Sequence, residues 1–283
     1  MPRIDQLLRD AAARIPSDNP RLDAEILLAH LLGKPRSFLY AWPAHETDAA
    51  TATTFETLLQ RRIAGEPVAY LLGEREFWSL PLTVTPEVLI PRPETERLVE
   101  LALTLGPAGA ADVLDLGTGS GAIAIALASE RPGWRLLATD RSTAALEVAH
   151  GNASRHRLGN IGFVATDWYA AIAATPRFDL IVSNPPYIRA GDPHLGRDGL
   201  PYEPADALVA GDDGLDDIRR IAAGAAARLR PGGWLLLEHG HDQGAAVRQL
   251  LERAGLADVQ TSTDLAGHER ATLGRRHSNA RTP

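Results

Sequence analysis

From residue 93 onward, short apolar runs alternate with helical patterns, and this alternation restricts the chain more than any other feature of its sequence. The runs fall at 112–116, 135–139, 161–164, 179–183 and 233–238, with 258–261 and 270–273 as a late pair. Strands separated by helix-length segments are the mark of βαβ units, which place the strands in a parallel sheet. Seven such runs predict an α/β domain built on a Rossmann-like, seven-stranded, doubly wound sheet.

The first 75 residues carry a different period. Apolar positions recur every three or four residues, so this part is predicted to be helical. The spacing from Asn19 to Gly33 predicts one helix: Asn19 as its cap, Pro20 at the first position, Leu22, Ile26 and Ala29 on one face, and Gly33 as a left-handed exit. A second helix is predicted over 53–64, with Phe55, Leu58, Leu59 and Ile63 turned inward and a break at Gly65, Glu66 and Pro67. From Glu76 to Pro91 the period falls to two at Leu80, Leu82 and Val84, and the surrounding prolines exclude a place in a central sheet. The expected organisation is a helical domain over 1–75, a hairpin linker over 76–91, an α/β domain over 92–276 and a flexible polar tail over 277–283, the basic stretch itself beginning at Arg275.

Charge and cysteine content narrow the chemistry. The net charge is −7 and Lys34 is the only lysine, so the broad positive field of a general nucleic-acid binder is missing and no direct nucleic-acid binding is expected. Without cysteine there is no thiolate nucleophile or thiolate metal site. The first sixteen residues carry charges through their apolar positions, and no run of 18 uncharged apolar residues occurs, so neither a signal peptide nor a membrane span is expected and the cytoplasm is the expected location.

Asp115-Leu-Gly117-Thr118-Gly119-Ser120-Gly121 follows the first strand of the α/β region and opens a helix. Glycines there let the backbone approach a ligand closely, and the free N–H groups of a helix start favour electron-rich atoms. Asp140 ends the second strand, where a carboxylate can accept from two ribose hydroxyls. This much fits a nicotinamide dinucleotide as well as S-adenosylmethionine.

Asn184-Pro185-Pro186-Tyr187 follows the fourth strand, on the side of the sheet where ligands bind. Two prolines remove backbone donors and restrict the loop, leaving carbonyl oxygens without local partners. The Asn184 amide oxygen and the Pro185 carbonyl can then accept both hydrogens of a planar –NH₂ group while Tyr187 covers its face. That is a cradle for an amide or an exocyclic amine, and a nicotinamide enzyme does not need it. Asp167-Trp168, after the third strand, has two readings: a helix cap beside a core indole, or an acceptor for an adenine amino group beside a wall of the adenine slot.

Taken together, DLGTGSG, the acid after the second strand, DW and NPPY resemble a class I S-adenosylmethionine-dependent methyltransferase that acts on nitrogen. More narrowly, the chain resembles the HemK/PrmC family, which methylates the glutamine of the Gly-Gly-Gln motif in class-1 peptide chain release factors. Ile90-Pro-Arg92-Pro-Glu-Thr-Glu96, Ser183, Tyr202-Glu203-Pro204, Ala207-Leu208 and Leu236-Leu-Glu238-His239-Gly240 extend the likeness over essentially the whole chain. The resemblance implies that Gly117 to Gly121 and Asp140 hold the methionine and ribose parts of S-adenosylmethionine. It further implies that Trp168 and Asn184 border the cofactor, that Asn184 to Tyr187 hold the substrate glutamine, and that S-adenosylhomocysteine is the product. The segment from Arg92 to Glu96 is expected near the cofactor without individual roles. The helical domain is expected to dock the release factor.

Among the histidines, His239 and His241 stand at i and i+2 beside Glu238 without a third suitable ligand, and no metal is expected. Asp216 and Asp217 suit the acidic first turn of a helix. The competing readings are an adenine or cytosine amino-methyltransferase, which offers the same cradle to a flipped base, a methyltransferase for a glutamine of another protein, and a binding module that keeps the fold without catalysis.

Overall fold

The computed structural model describes residues 1–197 and 199–278, so residues 279–283 of the expected tail lie outside it. By its internal contacts the chain forms two compact units, Met1–Glu74 with Pro193–Tyr202, and Arg75–Asp192 with residues 203–278.

The first unit is helical. It contains α1 (Ile4–Ala12), α2 (Pro20–Leu32), α3 (Arg36–Ala41), α4 (Ala49–Ile63) and α5 (Val68–Leu72) around a core that includes Ile4, Leu8, Leu27, Leu28, Phe55 and Leu59. Helix α2 leaves through Gly33 in the left-handed region, as its sequence requires. Its expected cap does not form: the Asn19 side chain makes no capping bond, and only its backbone carbonyl accepts, from Asp23 N–H. Helix α4 begins four residues earlier than expected, because Asp48 accepts from Thr51 N–H at 2.8 Å and fixes the start there. The segment Pro193–Tyr202, distant in sequence, belongs to this unit through contacts such as the Tyr202 hydroxyl donating to the Ala64 carbonyl at 2.9 Å.

The second unit opens with a two-stranded sheet of β1 (Glu74–Phe77) and β2 (Leu80–Thr83), which accommodates Pro81 outside any central sheet. A 3₁₀ turn, Pro93–Thr95, then leads into α6 (Glu96–Leu105). Among the described residues the main sheet has seven strands: β3 (Asp112–Leu116), β4 (Arg135–Asp140), β5 (Ile161–Ala165), β6 (Phe178–Ser183), β7 (Leu229–Glu238), β8 (Leu256–Thr263) and β9 (Glu269–Arg276). Their order is β5-β4-β3-β6-β7-β9-β8, parallel as far as β7, with β9 antiparallel between β7 and β8. Each strand was expected near its observed place. Strand β9 runs past the expected 270–273 to include Arg275 and Arg276, so the basic stretch begins inside the sheet: Arg275 lies over the Trp234 ring and Arg276 donates to the Leu229 carbonyl.

Helices cover both faces of the sheet. Val113, Leu180, Leu236 and Leu273 join one core with residues of α6 and of α7 (Ala122–Glu130), including Leu98 and Leu127. Their chain neighbours Leu114, Ile181 and Leu237 join the other, with residues of α9 (Asp216–Arg228) and α10 (Gly244–Arg253), including Ile218 and Val247. Alternation of side chains across the strands divides them in this way, and burial on both faces explains their unbroken apolar runs. The order reverses between β3 and β6, so their carboxyl ends flank the switch point where such sheets bind ligands. Ser183 Oγ donates to the Leu116 carbonyl at 2.7 Å and ties those two ends together.

Candidate active site

The loop between β3 and α7 turns through three glycines in the left-handed region: Gly117 at φ +70°, Gly119 at +54° and Gly121 at +85°. A side chain at Gly121 would meet Ala149 of α8 (Thr143–Arg155), so this glycine lets the helix start against its neighbour. A side chain at Gly119 would meet nothing within 4 Å. The loop is held from three sides. Thr118 N–H donates to the Thr139 carbonyl at 2.8 Å, Gly119 N–H to Asp140 Oδ2 at 3.0 Å, and the buried Asn152 amide to the Ser120 carbonyl at 2.9 Å. Asn152 also receives Thr83 N–H and donates to the Thr83 carbonyl, which joins β2 to the loop.

Beneath the loop lies Asp115, fully buried. Its Oδ2 accepts from the Thr118 hydroxyl at 2.6 Å and Oδ1 has no partner among the described residues. Burial pushes its carboxyl up to about 7 against the pull of the Thr118 bond.

A cavity of about 380 Å³ opens above the carboxyl ends of the strands. Of the residues expected in the site, Gly117, Thr118, Gly119, Ser120, Asp140, Asp167, Trp168, Asn184 and Pro186 line it. Gly121, Pro185 and Tyr187 are not among the lining residues. Asp140 Oδ1 takes Ser142 N–H at 2.9 Å, so each carboxylate oxygen holds one backbone donor and keeps a free lone pair. Trp168 adopts a left-handed backbone, φ +47°, a conformation that persists only where its surroundings enforce it. Here the indole Nε1 donates to Asp217 Oδ1 at 2.9 Å and the ring lies beside Gly117. Asp167, half exposed, pairs with Arg220.

Asn184 Nδ2 donates to Thr95 Oγ1 at 3.1 Å. Pro185 is buried, and the Tyr187 hydroxyl reaches Glu238 Oε1 at 3.4 Å while the Tyr187 carbonyl accepts from Gln243 Nε2. Burial raises the Tyr187 hydroxyl well above its ordinary range. Glu203 carries a buried carboxylate that receives Ile90 N–H at 3.0 Å and pairs with Arg92, a lining residue.

Sequence reasoning gave no individual part to Arg92 or Thr95 and missed those of Glu203, Asn152 and Asp217. Asp217 was legible only as the acid of a first helical turn, which it also is. His239 is buried between Thr272 Oγ1 and the Gly240 carbonyl, both at 2.8 Å. Among the described residues no three acidic or histidine side chains converge to hold a metal ion, and no helix is long and apolar enough to cross a membrane.

The doubly wound sheet, with a glycine loop, an acid and an Asn-Pro-Pro-Tyr turn at its switch point, defines a class I methyltransferase. Solved structures share the fold: the hMettl16 catalytic domain in complex with an RNA hairpin has a TM-score of 0.61 at 17% identity, over 90% of this chain and 95% of that one. The 16S rRNA methyltransferase RsmC of T. thermophilus has 0.53 at 24%, over 72% and 50%. Family models match at residues 6–73, the PrmC N-terminal domain, and 98–195, the methyltransferase small domain. Release factor glutamine methyltransferases are 53% identical in Vibrio cholerae, over 91% of this chain and 90% of that protein. The Pseudomonas aeruginosa protein is 53% identical over 97% and 99%, and the Escherichia coli protein 49% over 95% and 97%. The chain belongs to the release factor glutamine methyltransferase family.

Proposed function

We propose that this protein transfers a methyl group from S-adenosylmethionine to the side-chain amide nitrogen of the Gly-Gly-Gln glutamine in class-1 peptide chain release factors, in the cytoplasm, without a metal. The observation that carries this is the state of Asn184 at the cavity wall: its amide N–H is engaged by Thr95, which leaves its oxygen to accept from a planar –NH₂ group.

The residues fit the cofactor. Asp140 keeps lone pairs for ribose hydroxyls, Gly119 leaves open space at the loop, and the cavity is about 380 Å³. Gly117, Thr118, Gly119, Ser120 and Gly121 would hold its methionine part, Asp140 its ribose, and Asp167 and Trp168 its adenine, with Asn184 at its edge. When bound, it supplies an electrophilic methyl group on a positively charged sulfur.

An amide nitrogen is a poor nucleophile because its lone pair is delocalised into the carbonyl. Asn184 Oδ1 and the Pro185 carbonyl accept its two hydrogens, which adds electron density to the nitrogen and aims its open side. Pro186 stiffens this turn, and the Tyr187 ring covers the face of the amide while its hydroxyl rests on Glu238. No nucleophilic side chain is required. The helical unit serves to dock the release factor, so that remote contacts orient the glutamine.

The test is transfer of labelled methyl from S-adenosylmethionine to a purified release factor, run beside the same factor with its Gly-Gly-Gln glutamine replaced by alanine. Label on the first alone is the expected result. Label on both would mean another atom is modified, and label on neither would move the search to other proteins and to nucleic acid.

A further inference from the structure

Behind the Asn184 turn lies a carboxyl to which the proposed chemistry gives no task. Glu238, the last residue of β7, is 1% exposed. Its Oε1 receives the Tyr187 hydroxyl, and its Oε2 has no hydrogen-bond partner among the described residues. The Thr95 hydroxyl interacts with the same carboxyl. An isolated carboxylate oxygen is costly to bury, and such groups in folded chains call for an explanation.

Charged side chains act on this carboxyl with opposite signs. Arg270 of β9 favours its ionised form and Glu94 opposes it, while Arg92 and Glu94 also face Tyr187. His239, next in the chain, turns to Thr272 and Gly240, and burial holds its pKa down. Burial of Glu238 outweighs the rest and lifts its carboxyl to about 7.

A threonine hydroxyl has one hydrogen to give, and an ionised carboxylate can only accept. When Thr95 gives its hydrogen to Glu238, its oxygen has only lone pairs to offer Asn184. The amide must then present Nδ2 to Thr95, which is the bond observed at 3.1 Å, and Oδ1 is left for the cavity. A neutral Glu238 can donate to Thr95 instead, which frees the Thr95 hydrogen for the Asn184 oxygen and reverses the amide.

We infer that Glu238, acting through Thr95, sets which end of the Asn184 carboxamide faces the cavity, and so makes the site an acceptor of N–H groups. Glu238 and Thr95 are thus positioning residues. Their role rests on the reading of Asn184 as the amide acceptor.

The test compares Glu238→Gln, Thr95→Val and Thr95→Ser with the wild type, all in the full chain. A glutamine at 238 can donate as well as accept, so Glu238→Gln is expected to lower kcat about 10- to 100-fold, the range found for groups that orient metal ligands, with cofactor affinity little changed. Thr95→Val reproduces that loss and Thr95→Ser keeps wild-type turnover. Wild-type kcat falls as the pH drops below about 7, where Glu238 takes up its proton, and this limb is missing in Glu238→Gln. With no ligand present, the side-chain amide resonances of Asn184, assigned by their loss in Asn184→Ala, titrate over the same range in the wild type and stay flat in Glu238→Gln.

Wild-type kcat with an intact low-pH limb in Glu238→Gln, or equal activity in Thr95→Val and Thr95→Ser, would overturn the proposal. If Glu238→Gln does not fold, the two Thr95 variants decide. If the wild type transfers nothing to the release factor, the proposed function fails by itself, and the amide titration still decides the role of Glu238.

Discussion

The three glycines of the β3–α7 loop should respond to alanine in a fixed order of stability, because their surroundings differ while their backbones do not. Each has φ between +54° and +85°, where an L-residue costs about 1–2 kcal/mol, offset by about 0.4–1 kcal/mol from a stiffer unfolded chain. At Gly119 that is the whole effect, since its Cβ would meet nothing within 4 Å, and the loss should be about 1 kcal/mol. At Gly117 the Cβ would lie 3.3 Å from Trp168 Cζ3, and the indole is tied down by Asp217. The low end of overpacking, about 1 kcal/mol more, brings the loss there to about 2. At Gly121 the Cβ would meet Ile125 Cδ1 at 2.9 Å and the Ala149 backbone at 3.3 Å, which cannot retreat without moving a helix. There the upper end, about 3 kcal/mol, makes the total about 4. Urea unfolding without ligand measures the series. Repeating Gly117→Ala in a Trp168→Ala background should recover about 1 kcal/mol as coupling. Cofactor affinity should not follow this order, since Gly119→Ala puts its methyl into the cavity and is expected to weaken binding while hardly affecting the fold. A loss at Gly119 equal to that at Gly121, or no coupling between Gly117 and Trp168, would refute this account of the loop.

Three further outcomes are expected. Asn152→Ala strips partners from Thr83 N–H and the Thr83 and Ser120 carbonyls, at about 1–3 kcal/mol for each group left unpaired. Thermal unfolding should fall sharply, and Asn152→Asp should not rescue it, because a carboxylate cannot donate to the two carbonyls. Asp140→Ala should weaken S-adenosylmethionine binding by about 10- to 150-fold, corresponding to about 1.5–3 kcal/mol for a charged hydrogen bond, and unchanged affinity by calorimetry would remove Asp140 from the ribose site. Asp115 has its folded pKa raised from 3.8 to about 7, so its stabilising contribution is fully present below its unfolded pKa and is lost as the pH rises through about 7. The decline of the urea midpoint between acid and alkaline pH should therefore be shallower in Asp115→Asn, and an identical decline would show that this carboxyl does not titrate in that range.

The strands were legible because a sheet covered on both faces leaves runs with few polar interruptions, as in Val113-Leu114 and Leu180-Ile181-Val182. Their ends were less so. Strand β7 begins at Leu229, ahead of the Pro231-Gly232-Gly233 irregularity that hid its pairing with Phe178. Local cap chemistry misled at Asn19, whose side chain makes no capping bond, and was overlooked at Asp48, which makes two bonds to Thr51. The glycine loop, Asp140 and Asn184 stand out in the sequence because their chemistry is local to a turn. Thr95, Glu203 and Glu238 do not, since what defines them is a partner up to 143 residues away, as Thr95 and Glu238 are, and no periodicity records that. The passage of Pro193–Tyr202 into the helical unit is equally a matter of tertiary contact.

The placement of β9 also bears on how the chain is made. Strands β3 to β7 emerge from synthesis before it and can already pair in parallel, yet the partner of β7 on its outer side is the last strand among the described residues. Until β9 arrives, the nascent sheet presents Trp234 to Glu238 as an open apolar edge, the kind of surface that recruits a wrong strand from another chain. Strand β8 appears earlier but belongs one place further out, so it must wait rather than occupy the gap. Substitutions that slow the β8–β9 turn should therefore lower the soluble yield of the protein more than they lower the stability of the molecules that finish folding.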